Sequence, residues 1–238
     1  DVERSRGLGD VYKRQKYHGF QKQPKTTKTI QHHLDKALAK VANHKISTVC
    51  CGRTDAGVHA LNQFIHFDTS SLRKIDSWIK GVNVNLPDDI VVKNFYKVDK
   101  NYHARFDATS REYLYVIKNA NIPPAIGFNN CLWIRQTLNI EKMNKAAQYL
   151  LGEKDFSAFR ASGCQSKSPV REIVKTKFVS KGEYLYFFIK GNAFMLNMVR
   201  IIMGTLLDVG TNKINVTDFK KIIKPVSYTH LRAHETSL

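Results

Sequence analysis

The chain has 238 residues, 42% hydrophobic and 24% charged, which excludes a disordered polyelectrolyte and leaves room for one large domain or two small fused ones. Lysine and arginine number 38 against 20 acidic residues, a net charge of +18. Such an excess, spread from position 13 to position 224, predicts a folded basic face and a polyanionic partner, of which nucleic acid is the commonest.

Residues 1–15 and 225–238 carry no clear hydrophobic period and join patterned sequence abruptly, so both are read as non-native tails. Gly7-Leu8-Gly9-Asp10 predicts a poor strand, with only Val11-Tyr12 suited to brief pairing. A sheet lacking its first strand would show an open edge there. Ile30, Leu34, Leu38 and Val41 recur at helical spacing and predict a helix over 27–43. A strand over 45–51 then leads into a polar loop bounded by Gly52 and Gly57, and a second strand over 61–67 follows. A helix over 71–82, ended by Asn85-Leu86-Pro87-Asp88, precedes strands over 90–98 and 111–117.

In the second half, Ile140, Met143, Ala147 and Leu150 mark a helix, with Asn139 as N-cap and Gly152 beyond its end. Residues 170–179 and 184–190 predict a hairpin around Lys181-Gly182, and 194–209 a long, nearly all-apolar helix. Helices interleaved with hairpin-linked strands predict an α+β fold, helices covering an antiparallel or mixed sheet. The organisation read from this is an N-terminal half over 16–108 and a C-terminal half over 109–224. No sequence repeat is strong enough to mark a duplication.

Cys50, Cys51, Cys131 and Cys164 form no C-x-x-C pair and read as reduced, buried thiols of a cytoplasmic protein. The nine histidines show no metal-binding spacing, no stretch approaches a membrane span, and no signal peptide is read at the start.

The densest chemical signal is Cys51-Gly52-Arg53-Thr54-Asp55-Ala56-Gly57-Val58-His59-Ala60, two charged side chains in a tight loop directly after a strand. Loops at strand ends are common mounts for catalytic groups. The plainer alternative is a turn in which Asp55 caps a backbone amide. The glycine spacing is not that of a phosphate-binding P-loop, because Val58-His59 stands where Lys-Ser/Thr is required. Further along, Asn197, Arg200, Gly204 and Asp208 make the polar stripe of the last helix. A buried arginine needs a partner, and Asp208 lies two turns away, about 12 Å along a helix axis. Asp55 is the natural candidate; the alternative is that Arg200 reaches the surface.

The block Gly52-Arg53-Thr54-Asp55-Ala56-Gly57-Val58-His59-Ala60 resembles the signature of the TruA family of tRNA pseudouridine synthases. Other blocks match in order: Lys16-Tyr17-His18-Gly19-Phe20-Gln21, Asn62-Gln63-Phe64-Ile65-His66-Phe67, Asn83-Val84-Asn85-Leu86-Pro87, and Phe106-Asp107-Ala108-Thr109-Ser110-Arg111-Glu112-Tyr113-Leu114-Tyr115. Asp155-Phe156-Ser157-Ala158-Phe159, Val170-Arg171-Glu172-Ile173 and Phe194-Met195-Leu196-Asn197-Met198-Val199-Arg200 complete the series, which covers roughly 16–224. The family's strand ending in Y-D-G, ahead of the Tyr17 block, has Gly9-Asp10-Val11-Tyr12-Lys13-Arg14-Gln15 in its place.

The resemblance implies two ferredoxin-like halves facing an RNA-binding cleft, a homodimer, and isomerisation of uridine to pseudouridine in the tRNA anticodon stem-loop, at family positions 38–40. It implies no cofactor and no metal. It casts Asp55 as nucleophile, Arg53 as the holder of the flipped base, Tyr113 as the aromatic face that receives it, and Arg200 as the partner of the catalytic carboxylate. A carboxylate is ionised at neutral pH, so Asp55 needs no activating base; whether it attacks C1′ or C6 stays open. A base taken from its stack costs roughly a few kcal/mol, and an aromatic face returns about 1–3 kcal/mol. Tyr113 could instead be a core strand residue, and Arg53 a solvated one. Arg105, Arg160 and Arg171 suit phosphate contact; His59, His66 and His103 read as structural or RNA-facing, with His59 included in the RNA-binding set. The rivals are a basic RNA-binding module without catalysis and a metal-dependent nuclease, the latter disfavoured by the lack of clustered acidic residues.

Overall fold

A computed structural model describes residues 17–223 and the backbone of 3–12. The chain divides into two compact units, Asp1–Ala108 and Thr109–Leu238. Lys16 of the first matching block and the whole of 225–238 lie outside the described residues.

The first unit runs β1 (Glu3–Tyr12), α1 (Ile30–Ala42), β2 (Val49–Cys50), β3 (Ala60–Thr69), α2 (Ile75–Val84) and β4 (Ile90–Val98). Its strands lie in the order β2-β3-β1-β4, each neighbour antiparallel. The expectation that 1–15 could not supply a strand is corrected here. Residues 3–12 occupy a central position, Arg4 opposite Asp68 on one side and Val98 on the other. Ladder pairing uses backbone groups, and two strands that each need a neighbour override weak side-chain propensity. The Gly9 region is accommodated by register shifts against β3 on either side of Asp10, a bulge that absorbs the irregular stretch. The edges of this sheet are therefore β2 and β4, with no open edge where the first strand was expected to be missing.

Apolar periodicity explains the helices. Ile30, Leu34, Ala37 and Leu38 of α1, with Trp78 and Val82 of α2, are buried with Ile65 and Phe67 of β3 and Val92 and Phe95 of β4. Thr29 caps α1, its side chain accepting from the His32 amide at 3.4 Å. Asp35, on the buried face, accepts from the Thr48 amide (3.1 Å) and hydroxyl (2.6 Å) and pairs with Lys22 at 2.5 Å. That fastens the chain just ahead of β2, which spans two residues rather than the seven expected.

The second unit runs β5 (Arg111–Asn119), β6 (Leu132–Ile134), α3 (Ile140–Gln148), β7 (Gly152–Asp155), β8 (Val170–Lys181), β9 (Tyr184–Gly191), α4 (Met198–Gly210) and α5 (Val216–Ile223). The strand order is β6-β5-β9-β8-β7, antiparallel except for β6 beside β5. Tyr115, Ile117, Leu185, Phe187, Ile189 and Phe178 line one sheet face, and α3, α4 and α5 close the core against it. Asn139 caps α3 as its position predicts, accepting from the Lys142 amide at 2.9 Å.

Two details differ from expectation. The last long helix begins at Met198 rather than at 194, because Asn197 adopts a left-handed conformation (φ 55°) and stops the helix there. Cys50, Cys51 and Cys164 are half-buried; Cys131 alone is buried, and all four are free thiols. Among the described residues, no helix is long and apolar enough to cross a membrane.

Candidate active site

The loop 51–59 joins β2 to β3 in the first unit. Its two ends are brought side by side by the hairpin: the Cys51 amide donates to Phe64 O at 2.8 Å, continuing the β2–β3 ladder by one bond. Gln63 is buried in β3 and holds the loop's first turn, its Nε2 donating to Gly52 O while its Oε1 receives the Cys51 thiol at 3.3 Å. A buried amide side chain must be paired, and here the pairing fixes the backbone beside Arg53.

The loop's far side rests on the block around Gly19. The Phe20 amide donates to Thr54 O at 3.1 Å, and Phe20 itself is fully buried. Gly19 has φ +103°, and a Cβ there would meet Thr54 O at 3.0 Å and the Ala56 amide nitrogen at 3.6 Å. Only glycine allows the two segments to approach so closely at that φ. Tyr17 anchors the block, donating to Asp89 Oδ1 at 2.6 Å. Burial and that carboxylate push the Tyr17 phenol far above its ordinary range. A turn at the Asp55 carbonyl, which accepts from the Val58 amide at 3.3 Å, with Gly57 at φ +77°, completes the loop.

The result is a pinned backbone with exposed functional groups: Arg53 and Asp55 are both solvent-exposed, and His59 is half-buried. Gly19 and Gln63 are the residues whose work the sequence reading did not specify. The signals were present, a glycine between two aromatic-rich positions and a glutamine inside an apolar strand.

The other histidines have structural tasks. His66 is buried, and its Nδ1 accepts from the Ala104 amide at 3.0 Å. His103 Nδ1 accepts from the Arg105 amide (3.2 Å) and the Phe106 amide (3.3 Å), shaping the turn that follows β4. Arg105 is exposed and sits over the Phe106 ring at 5.8 Å.

In the second unit Tyr113 lies near the start of β5, half-buried, its ring edge-on to Phe194 at 5.1 Å. It is packed at the margin of the core, neither wholly inside nor free of it. Arg200 occupies the first turn of α4 and is half-buried. Asp208 pairs with Lys213 at 3.2 Å. Arg160 and Arg171, expected as phosphate contacts, both donate from guanidinium nitrogens to nearby backbone carbonyls. No group of three or more His, Cys, Asp or Glu side chains among the described residues is arranged to hold a metal ion.

A rigid loop offering a carboxylate and a guanidinium, in an α+β chain with a large basic excess, fits the class of enzymes that work on RNA. Comparison with known proteins narrows this. A family described as tRNA pseudouridine synthase matches residues 14–107 and 146–236. The tRNA pseudouridine synthase A of Shewanella piezotolerans is 47% identical over 203 residues, 85% of this chain and 77% of that protein. That of Tolumonas auensis is 46% identical over 206 residues (87% and 78%), and that of Francisella philomiragia 44% over 194 (82% and 75%). The chain belongs to the tRNA pseudouridine synthase family.

Proposed function

We infer that this chain is an isomerase that converts uridine to pseudouridine in tRNA. The observation that carries the inference is the 51–59 loop, exposed at Asp55 and pinned by Gln63 and Gly19, in a chain of this family. The reaction breaks the N1–C1′ bond, turns the uracil and joins C5 to C1′. The proton lost from C5 balances the one gained at N1, so the change is redox-neutral.

In our reading Asp55 is the nucleophile and Arg53 holds the flipped nucleotide. Tyr113 offers the base a face, which its half-exposed position near the start of β5 supports. Arg200 serves the catalytic carboxylate; its place in the first turn of an otherwise buried helix supports a directed role. Arg105 and His59 contribute to RNA binding, Arg105 through its exposure. The substrate element is the anticodon stem-loop, and the enzyme works as a homodimer in the cytoplasm, a compartment that four free thiols suit. The reading of each unit as ferredoxin-like has support in the first, whose βαββαβ order and β2-β3-β1-β4 arrangement follow that pattern.

The test is an anticodon stem-loop carrying tritium at uridine C5, incubated with and without chelator. The expected result is one tritium released to water per pseudouridine formed, at equal rates in both arms. Binding without release would mean an RNA-binding module, and a chelator-sensitive rate would mean metal chemistry.

A further inference from the structure

Residues 161–169 link a short 3-10 turn at Ser157–Phe159 to β8 and carry no large apolar side chain (Ala-Ser-Gly-Cys-Gln-Ser-Lys-Ser-Pro). Of its side chains only Ala161 and Cys164 pack against the core, so much of its shape comes from polar contacts. Arg160 Nη2 donates to Cys164 O and Ser166 O, each at 2.8 Å. From the other end, Arg171 Nη1 donates to Ser168 O at 3.0 Å and to Val170 O at 2.5 Å, and its Nη2 to the Ser166 hydroxyl. That hydroxyl donates onward to Ser168 O at 3.0 Å. The Arg171 Nε is buried and finds no hydrogen-bond partner among the described residues. Both guanidiniums are half-buried, each spanning carbonyls of separate residues, a task for a planar fork rather than an ammonium.

The loop so held is stitched to the entry of α4. The Ala161 amide donates to Leu196 O at 3.4 Å. Leu196 directly precedes Asn197, the left-handed residue that starts α4, and Arg200 follows in its first turn. A shift of the loop is therefore transmitted toward Arg200 through the Ala161–Leu196 bond.

We propose that Arg160 and Arg171 are positioning residues, which clamp the 161–169 loop against Leu196 and so set Arg200 for the reaction, instead of binding tRNA phosphate. This rests on the assignment of Arg200 above. Phosphate binding by Arg171 would compete with the contacts its Nη atoms already make, Nη1 to the Ser168 and Val170 carbonyls and Nη2 to the Ser166 hydroxyl.

The test uses the full chain with Arg160→Lys, Arg171→Lys and the milder Ser166→Ala, each checked by thermal unfolding. Single-turnover rate at saturating tRNA and tRNA Kd across a salt series are measured. Both lysine variants keep the charge and lose the fork. The expected result is a rate lower by on the order of ten- to a hundredfold, the scale of a misplaced catalytic group. The Kd should stay within about twofold, with an unchanged slope of log Kd against log salt. Ser166→Ala should show the same pattern in smaller degree. In Arg160→Gln and Arg171→Gln, which also remove the charge, a slope lower by about 1 with weaker binding would make the arginines phosphate ligands. A lower melting temperature with an unchanged rate would make them merely structural. Either outcome overturns the proposal. Arg200→Gln and the double variant R171K/R200Q separate its failure from that of the Arg200 assignment. If the assignment holds, R200Q is slow and the double variant is no slower. If R200Q turns over at the wild-type rate, the assignment itself fails.

Discussion

The loops 51–59 and 160–171 use similar residues to opposite ends. Each is polar, lies beside a strand, contains a glycine at positive φ and carries charged side chains. In the first, neutral groups hold the backbone from below: the Gln63 amide, the Phe20 amide and the bare α-carbon of Gly19. Arg53 and Asp55 are left facing solvent. In the second, the arginines themselves hold the backbone, Arg160 through Nη2 and Arg171 through both Nη atoms. An arginine in a loop thus has no fixed meaning in sequence; whether the backbone has another support decides whether its charge is free to work.

The sharpest way to break this comparison is at the two glycines. Gly19→Val places a side chain 3.0 Å from Thr54 O at a φ of +103° and should displace the Asp55 loop. We expect the single-turnover rate to fall about a hundredfold, with tRNA Kd little changed. Gly163, at φ +79° with open space around it, should tolerate alanine at a cost of roughly 1 kcal/mol in urea unfolding and no loss of rate. Equal effects at both sites would erase the distinction.

Gln63→Leu keeps the volume but leaves Gly52 O unsatisfied. It should cost about 1–3 kcal/mol in urea unfolding and also slow the reaction. A stability loss without a rate loss would mean that the glutamine supports the sheet alone. Arg105→Gln should lower the slope of log Kd against log salt by about 1, where Arg171→Gln leaves it unchanged. The smallest expected effect concerns thiols. Burial raises the Cys164 pKa, but the amides of Ser166 and Leu196 and the Arg160 guanidinium outweigh it and hold the thiol below its ordinary value. Burial raises that of Cys131. Since the thiolate is the reactive form, Cys164 should be alkylated faster at neutral pH, and its rate should reach half-maximum at lower pH. Mass spectrometry of iodoacetamide adducts over a pH series reads this directly.

Much of the architecture was legible because it follows from local pattern. The strand 90–98 and the capped helix after Asn139 have the bounds or caps their periodicity predicts. The strand Glu3–Tyr12 was not legible, since its pairing comes from neighbours more than 50 residues away in sequence, such as Asp68 and Val98. The start of α4 was misread because the apolar pattern continues on both sides of Asn197, the residue that turns left-handed there. Short β6 and β7 and the helix Val216–Ile223 lacked a pattern long enough to register. At the site, the block from Gly52 to Ala60 stood out by composition. The roles of Gly19, Gln63, Arg160 and Arg171 did not, because each depends on which carbonyl lies within reach.

The central claim is that Asp55 performs the chemistry on a loop built to present it. Tritium release from C5-labelled tRNA uridine, measured for the wild type and Asp55→Asn alongside tRNA Kd, tests it most directly. Affinity rests mainly on phosphate electrostatics, whereas reaction needs the carboxylate. The account predicts release reduced by at least about a thousandfold with Kd within a few-fold of wild type. Release near the wild-type rate from Asp55→Asn would contradict it.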